Sequence, residues 1–432
     1  MHWEKFQDIQ ELNNYLEKKI AENQRYSSDS IMGFPGSFLD RKIFPEAIDS
    51  NSVYWRLLRE NPNHIGCHTY MTGESAFAGT QEIERELLRI CAEEILGAEK
   101  DEFDGYVSTG GTESNIQALW LYRNKYIIDK YVQNPDTVNA NELQHIFLDH
   151  VKEVDVIYSE DTHYSMYKAA HVLNLHQMKI PVDYDTRQFD LTYLSAYIDR
   201  AKRGGKKFFI LVLNMGSTMF GSVDEIDPVT ELLDSKQIEY TVHVDAAFGG
   251  FIYPFTNPNN MLSFKNKKIN SFTLDAHKML QSPYSTGIFL VRKKVNDTCL
   301  IKYVTTGKAS YIEGNDSTLC GSRSGANAVS IWMILKMYGP DGGTEFCNEL
   351  IRRTNILCMA LDDLGIKYYR NQHMNIIAIS ATDEIKKLAK KHNLVPDTHD
   401  TSPNWYKVVV MDHVSEEYID KFIQDIAITK SQ

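Results

Sequence analysis

Apolar residues recur at Phe6, Ile9, Leu12 and Leu16, the spacing of one helical face, and then give way to an irregular stretch around GFPGS and ENPNHIGCHTYMTGES. Residues 1–80 therefore read as an N-terminal arm with loops. From 81 to about 295 the pattern alternates: helices are expected at 81–96, 113–125, 163–174 and 225–236, and strands at 106–108, 154–159, 207–213, 240–244, 271–274 and 287–292. The run FFILVL is apolar without alternation, which requires burial on both faces and hence a mostly parallel sheet covered by helices. In such α/β sheets ligands gather at the carboxyl ends of the strands. A long helix at 325–337 leads into a last segment with helices at 345–363, 383–392 and 415–428 and strands at 366–370, 375–380 and 406–411, an α+β layer of its own. The expected division is an arm at 1–80, a large domain at 81–340 and a small C-terminal domain at 341–432.

Composition narrows the class. With 432 residues, 43% hydrophobic and 24% charged, the chain has globular proportions and room for a large domain and a smaller companion. A net charge of −12 argues against nucleic acid as a partner, because backbone binding relies on clustered Lys and Arg. The longest apolar run, Phe208 to Leu213, is far short of the roughly 20 residues of a membrane span. The amino-terminal MHWEKFQDIQELNNYLEKK is polar and amphipathic, unlike a secretory signal, and the six cysteines form no CxxC pair. A cytoplasmic protein with reduced thiols is expected.

Candidate chemistry clusters just after the strands. In SFTLDAHKML a strand ends in Asp275, His277 and Lys278, so that one lysine stands where the chain leaves the sheet. In YTVHVDAAFGG the strand ends in Asp245, followed by the small Ala246 and Ala247, which leave room for a flat ring. Asp245 there is suited to a charge-assisted hydrogen bond with a protonated ring nitrogen. His243 shares its face, but no third ligand at suggestive spacing supports a metal site. GYVSTGGTESN is a strand, a glycine turn and a helix start, in which the amides of Gly110 and Gly111 and the Thr112 hydroxyl suit a phosphate. His163 follows a strand in EDTHYS, and Ser217 and Thr218 follow FFILVLN.

The ordered set TGGTESN, DTHYSMYKAA, GSTMFGSVDEI, HVDAAFGG, DAHKM with SPYSTGIFLVRK, and GSRSGANAVSIW resembles the group II pyridoxal-dependent decarboxylases of fold type I. Within that family GYVSTGGTESN, EDTHYS, HKMLQSP and YIEGNDSTLCGSR are most similar to bacterial histidine decarboxylases. The resemblance spans roughly residues 60–340. It implies a large domain built on a mostly parallel seven-stranded sheet, and pyridoxal 5'-phosphate (PLP) held as a Schiff base by Lys278. Asp245 would pair with the pyridine nitrogen and His163 stack on the ring. Gly110, Gly111, Thr112, Asp275 and His277 would lie around the phosphate, Ala247 beneath the ring and Thr218 near its phenolic edge. The family builds its site at a homodimer interface, where Ser282 or Ser285 would serve the neighbouring subunit.

The implied reaction removes the α-carboxylate of an L-amino acid and protonates Cα. The family's proton donor is a loop tyrosine, and Tyr311 in GKASYIEGNDST occupies the matching place. Histidine or an aromatic amino acid is the first expectation for the substrate, and an acidic one the next. Tyr70, His68, Ser75 and Phe77 are candidates for lining the substrate side, and Arg323 for holding a carboxylate. The competing enzyme is a carbon–carbon lyase of the sphingosine-phosphate type, which shares the fold and the GGTES and GSR segments. A non-catalytic relative would be suggested by loss of the lysine, the aspartate or the histidine, and all three are present.

Overall fold

Seven strands build the central sheet: β1 (Phe103–Ser108), β2 (Val154–Ser159), β3 (His176–Ile180), β4 (Phe208–Asn214), β5 (Glu239–Ala246), β6 (Ile269–Asp275) and β7 (Gly287–Arg292). This computed structural model describes residues 1–25, 38–40, 42–44, 52–66, 73–134, 138–295, 298–299, 303 and 311–431. The strand order is β1-β7-β6-β5-β4-β2-β3, with only β7 antiparallel to its neighbours β1 and β6. The α/β expectation and its mostly parallel seven-stranded sheet therefore hold.

Strand β4 shows why its apolar run lacks alternation. Phe209, Leu211 and Leu213 enter the cluster on one face of the sheet, and Phe208, Ile210 and Val212 the cluster on the other. The helices covering these faces are α1 (Ile9–Ala21), α2 (Val53–Glu60), α3 (Ala78–Arg89), α4 (Gly111–Tyr131), α5 (Ala140–His150), α6 (Ser165–Val172), α7 (Leu191–Arg203) and α8 (Ile226–Ser235). Two short helices follow, α9 (Tyr253–Thr256) and α10 (Ala276–Met279).

Strand β3 and helix α7 are among the elements that the sequence expectation did not include. Strand β3 is an edge strand whose polar HQMKI is buried only at Ile180, so it carries no apolar run. Helix α7 buries Leu194, Tyr197, Ile198 and Ala201, a helical stripe interspersed with tyrosines and charges. Conversely, Ile9 of the expected first stripe is exposed, and Leu12, Leu16 and Ile20 form the buried face.

After the small hairpin β8 (Lys294–Val295) and β9 (Thr298–Cys299), helix α11 (Gly325–Asp363) runs on well past 337. It bends at Gly339 (φ 66°), where Pro340 follows and removes a helical N–H. Its far half packs with α12 (Asp383–Ala389) and α13 (Glu416–Ser431) against an antiparallel sheet of β10 (Tyr368–Tyr369), β11 (Ile376–Ser380), β12 (Val395–Pro396) and β13 (Trp405–Val409), ordered β10-β11-β13-β12. Among the described residues no helix is long and apolar enough to cross a membrane.

Candidate active site

The carboxyl ends of β1, β2, β4, β5 and β6 share one rim of the sheet, and the loops leaving β1, β2, β5 and β6 enclose a cleft of about 290 Å³. Gly110, Gly111, Thr112, His163, Asp245, Ala247, Asp275, His277, Lys278 and Ser285 all line it. A smaller adjoining cleft is lined by Asn214, Ser217 and Thr218 and shares His163, Asp245, Ala247 and Lys278 with the first. Parallel strands make this convergence possible, because each delivers its exit loop to the same edge.

Lys278 sits in α10, directly after β6, with Nζ 3.0 Å from Asp275 Oδ2. The second oxygen of Asp275 is buried and has no hydrogen-bond partner among the described residues. His277 stands with Nε2 3.7 Å from Asp275 Oδ2, while its Nδ1 lies 3.1 Å from the Thr286 carbonyl oxygen and 3.3 Å from the Thr286 amide. Ser282 is turned away from the cleft and bonded to the Thr286 hydroxyl, which leaves Ser285 of the two serines on the cleft wall.

Helix α4 begins at the opposite wall without a side-chain cap at Gly110. Glu113 instead reaches backward and accepts from both the amide and the hydroxyl of Thr109, each at 2.7 Å. The first-turn amides of α4 lack intrahelical acceptors, and the positive end of the helix is at the cleft. The approach is close: a Cβ on Gly111 would stand 3.0 Å from Asp275 Oδ2 and 3.3 Å from Ala247 Cβ, tighter than ordinary contact.

Asp245 closes the third side. Its Oδ2 accepts from Asn115 Nδ2 at 2.9 Å and its Oδ1 from the Ala247 amide at 3.1 Å. His163 lies between the two clefts; burial first, opposed by Asp245, and then the charge of Lys278 lower its pKa. Its Nδ1 accepts from the Ser165 amide at 3.3 Å, which assigns the proton of the neutral ring to Nε2. Burial and the nearby Lys278 likewise lower the pKa of Lys407, which reaches in from β13 and donates to the Thr218 carbonyl at 3.1 Å.

Other expected residues are not brought to this cleft. Arg323 is buried, with its guanidinium donating to Glu84 at 3.0 Å, to the Val107 carbonyl at 2.8 Å and to the Gly66 carbonyl. The structure thus corrects the expectation of a carboxylate anchor: Glu84 is an acidic partner already inside the core. Ser75 donates its amide and hydroxyl to Glu313 at 2.8 and 3.0 Å, and Phe77 is buried. Tyr311 is 88% exposed and does not line the cleft. Tyr70 and His68 lie outside the described residues. His243 turns both ring nitrogens onto neighbouring side chains within the core. Asn115, Glu113 and Lys407 were not singled out by the sequence; Asn115 lies one helical turn after Gly111, a spacing that places it on the same face.

Together, the cleft offers one accessible amine, an uncapped helix start and a buried carboxylate, a set suited to a flat ligand with an anionic end and a basic ring nitrogen. The profile of the pyridoxal-dependent decarboxylase conserved domain matches residues 62–366. The chain is 43% identical over 426 residues to a tryptophan decarboxylase of Clostridium sporogenes, covering 98% of this chain and 97% of that protein. A histidine decarboxylase of Vibrio campbellii is 28% identical over 351 residues, covering 80% of this chain and 79% of the relative. An L-methionine decarboxylase from Streptomyces sp. 590 shares the fold with a TM-score of 0.68 at 20% identity, over 96% of this chain and 93% of the other. With its lysine, aspartate and histidine gathered at one rim, the chain belongs to the pyridoxal-dependent decarboxylase family, whose members use PLP to remove carbon dioxide from amino acids.

Proposed function

We propose that the protein decarboxylates an L-amino acid with an aromatic side chain to the corresponding amine. The 43% identity to a tryptophan decarboxylase across nearly both whole chains carries this choice of side chain. Histidine is the next candidate, through the 28% identical relative.

The cleft fits the cofactor at each of its polar ends. Gly110, Gly111 and Thr112 at the start of α4 would hold the phosphate, with His277 beside them. Lys278 would bind the cofactor covalently, and Asp275 at 3.0 Å orients the amine. Asp245 would accept a hydrogen bond from the pyridine nitrogen, and Ala247, His163 and Thr218 would wall the ring and its phenolic edge. When bound, PLP supplies a conjugated pyridinium that accepts the electron pair left behind as carbon dioxide departs.

The remaining work falls to the chain. His163, neutral because burial and Lys278 lower its pKa, offers an Nε2–H and a flat face without adding positive charge to the ring. Tyr311 Oη would deliver the proton to Cα that completes the amine. Its exposure in one chain supports a homodimer in which it serves the neighbouring subunit's cleft, with Ser285 on the shared wall.

The test is an absorbance spectrum of the purified protein with PLP, before and after each of twenty L-amino acids, with the amine read by mass. A near-visible band that is lost in Lys278→Ala, with tryptophan or another aromatic amino acid converted to its amine, is expected. A band with no amine from any amino acid would point to the carbon–carbon lyase chemistry instead, and absence of a band would overturn the reading.

A further inference from the structure

Beneath Asp245 a file of buried polar groups crosses the core. Tyr122 Oη lies 2.6 Å from Ser271 Oγ, and Ser271 Oγ lies 2.7 Å from His243 Nδ1. His243 Nε2 lies 3.0 Å from Asn115 Oδ1, which Thr273 Oγ1 also approaches at 2.7 Å. Asn115 Nδ2 then donates to Asp245 Oδ2 and to Ser165 Oγ, both at 2.9 Å. All of these side chains are buried, those of Ser271, His243 and Thr273 with no accessible surface, so solvent is excluded from them.

Hydrogen-bond accounting gives the file one direction. Asn115 Nδ2 has two protons and spends them on Asp245 and Ser165. Its carbonyl oxygen therefore faces His243 and Thr273 and accepts from both. The reverse amide orientation would set an oxygen 2.9 Å from a carboxylate oxygen, a repulsive contact. His243 accordingly carries its proton on Nε2 and accepts at Nδ1 from Ser271, which accepts in turn from Tyr122. The neutral imidazole this requires is favoured by complete burial, which lowers the His243 pKa to about 4. An apolar set of the same shape would fill the space at no cost in unsatisfied groups, so packing alone does not explain the file.

We propose that His243 and Asn115 are positioning residues that hold Asp245 in one orientation as an acceptor-only carboxylate, so that its free lone pairs keep the ring nitrogen of the bound cofactor protonated. This rests on the assignment of PLP to the cleft. Ala247 fixes one oxygen from the backbone, Asn115 fixes the other, and His243 fixes Asn115 by taking its carbonyl.

The test loads ¹⁵N-labelled PLP into the wild type, His243→Leu, Asn115→Ser and His243→Gln, reads the protonation state of its nitrogen by ¹⁵N NMR, and measures PLP retention by equilibrium dialysis. A protonated nitrogen is expected in the wild type. It should be lost in His243→Leu and Asn115→Ser, with PLP held roughly 10- to 100-fold more weakly, the scale of losing a hydrogen bond to a charged group. His243→Gln, whose amide can still donate to Asn115, should keep the wild-type signal. Should His243→Leu fail to fold, Asn115→Ser decides. An unchanged ¹⁵N signal and affinity in Asn115→Ser would overturn the inference while leaving the PLP assignment standing. Failure of the wild type itself to bind PLP would overturn both.

Discussion

Replacing Asp245 by Asn would keep the side chain's size but present the ring nitrogen with a weaker, neutral partner. Decarboxylation is expected to fall by roughly 10²- to 10³-fold, the scale of removing one preorganised electrostatic contact. Lys278 should still take up PLP, so cofactor absorbance together with steady-state kinetics checks the separation. Tyr311→Phe removes the proposed proton donor and is expected to divert product from amine toward aldehyde, read by mass; an unchanged amine yield would sink that role. Three of the candidate residues were legible because each stands at or just after the carboxyl end of a strand, whereas Tyr311 was singled out only through the family resemblance. Lys278, Asp245 and His163 had to reach the carboxyl rim whichever way the helices packed. Arg323 precedes a helix in a turn, and nothing in GSRSG says which way its side chain faces. In the fold it meets Glu84, and the low dielectric of the core makes that pairing the one that counts.

Among the elements, α4 is the one whose first residue controls the cleft. Gly111→Ala would place a methyl 3.0 Å from Asp275 Oδ2 and push the helix start away from Lys278. Weaker PLP retention with nearly unchanged thermal stability is the expected outcome, measured by dialysis and by the melting transition. In α11 the bend depends on Gly339, whose φ of 66° with ψ of −177° is essentially a glycine-only conformation. Gly339→Ala is expected to cost about 1–3 kcal/mol in urea unfolding. That bend was only partly legible: Gly and Pro at 339 and 340 announce a break, whereas the helix beyond it is held by Cys347 and Leu350 in the same cluster as Trp332 and by Leu357 and Leu361 in a second one.

Across the whole molecule, two buried networks link stability to conditions. Glu84 accepts from Arg323 and from the Val107 amide and pairs with His64, joining α3, β1 and the segment before α11. Arg323→Ala would take the guanidinium away from that buried carboxylate, and a loss of about 3–5 kcal/mol is expected from chemical denaturation. His243 adds a pH term. Its folded pKa is lowered to about 4 from 6.5, so between those values the unfolded chain binds a proton that the folded chain refuses. Stability therefore rises with pH across that window, by about 3 kcal/mol for this group, and half-buried His163 acts in the same direction. Urea unfolding at pH 5 and 7.5 should show the difference, and His243→Gln should flatten it.

By itself the sequence determined the alternating α/β order, the double-faced burial of strands such as FFILVLN and the chemistry placed after each strand. These are properties of period and position, and they survive any detail of packing. Only the tertiary structure decided the partner of Arg323, the edge strand HQMKI, the backward reach of Glu113 and the direction of the file from Tyr122 to Asp245. These depend on which groups meet away from water, where an unpaired donor or acceptor is costly.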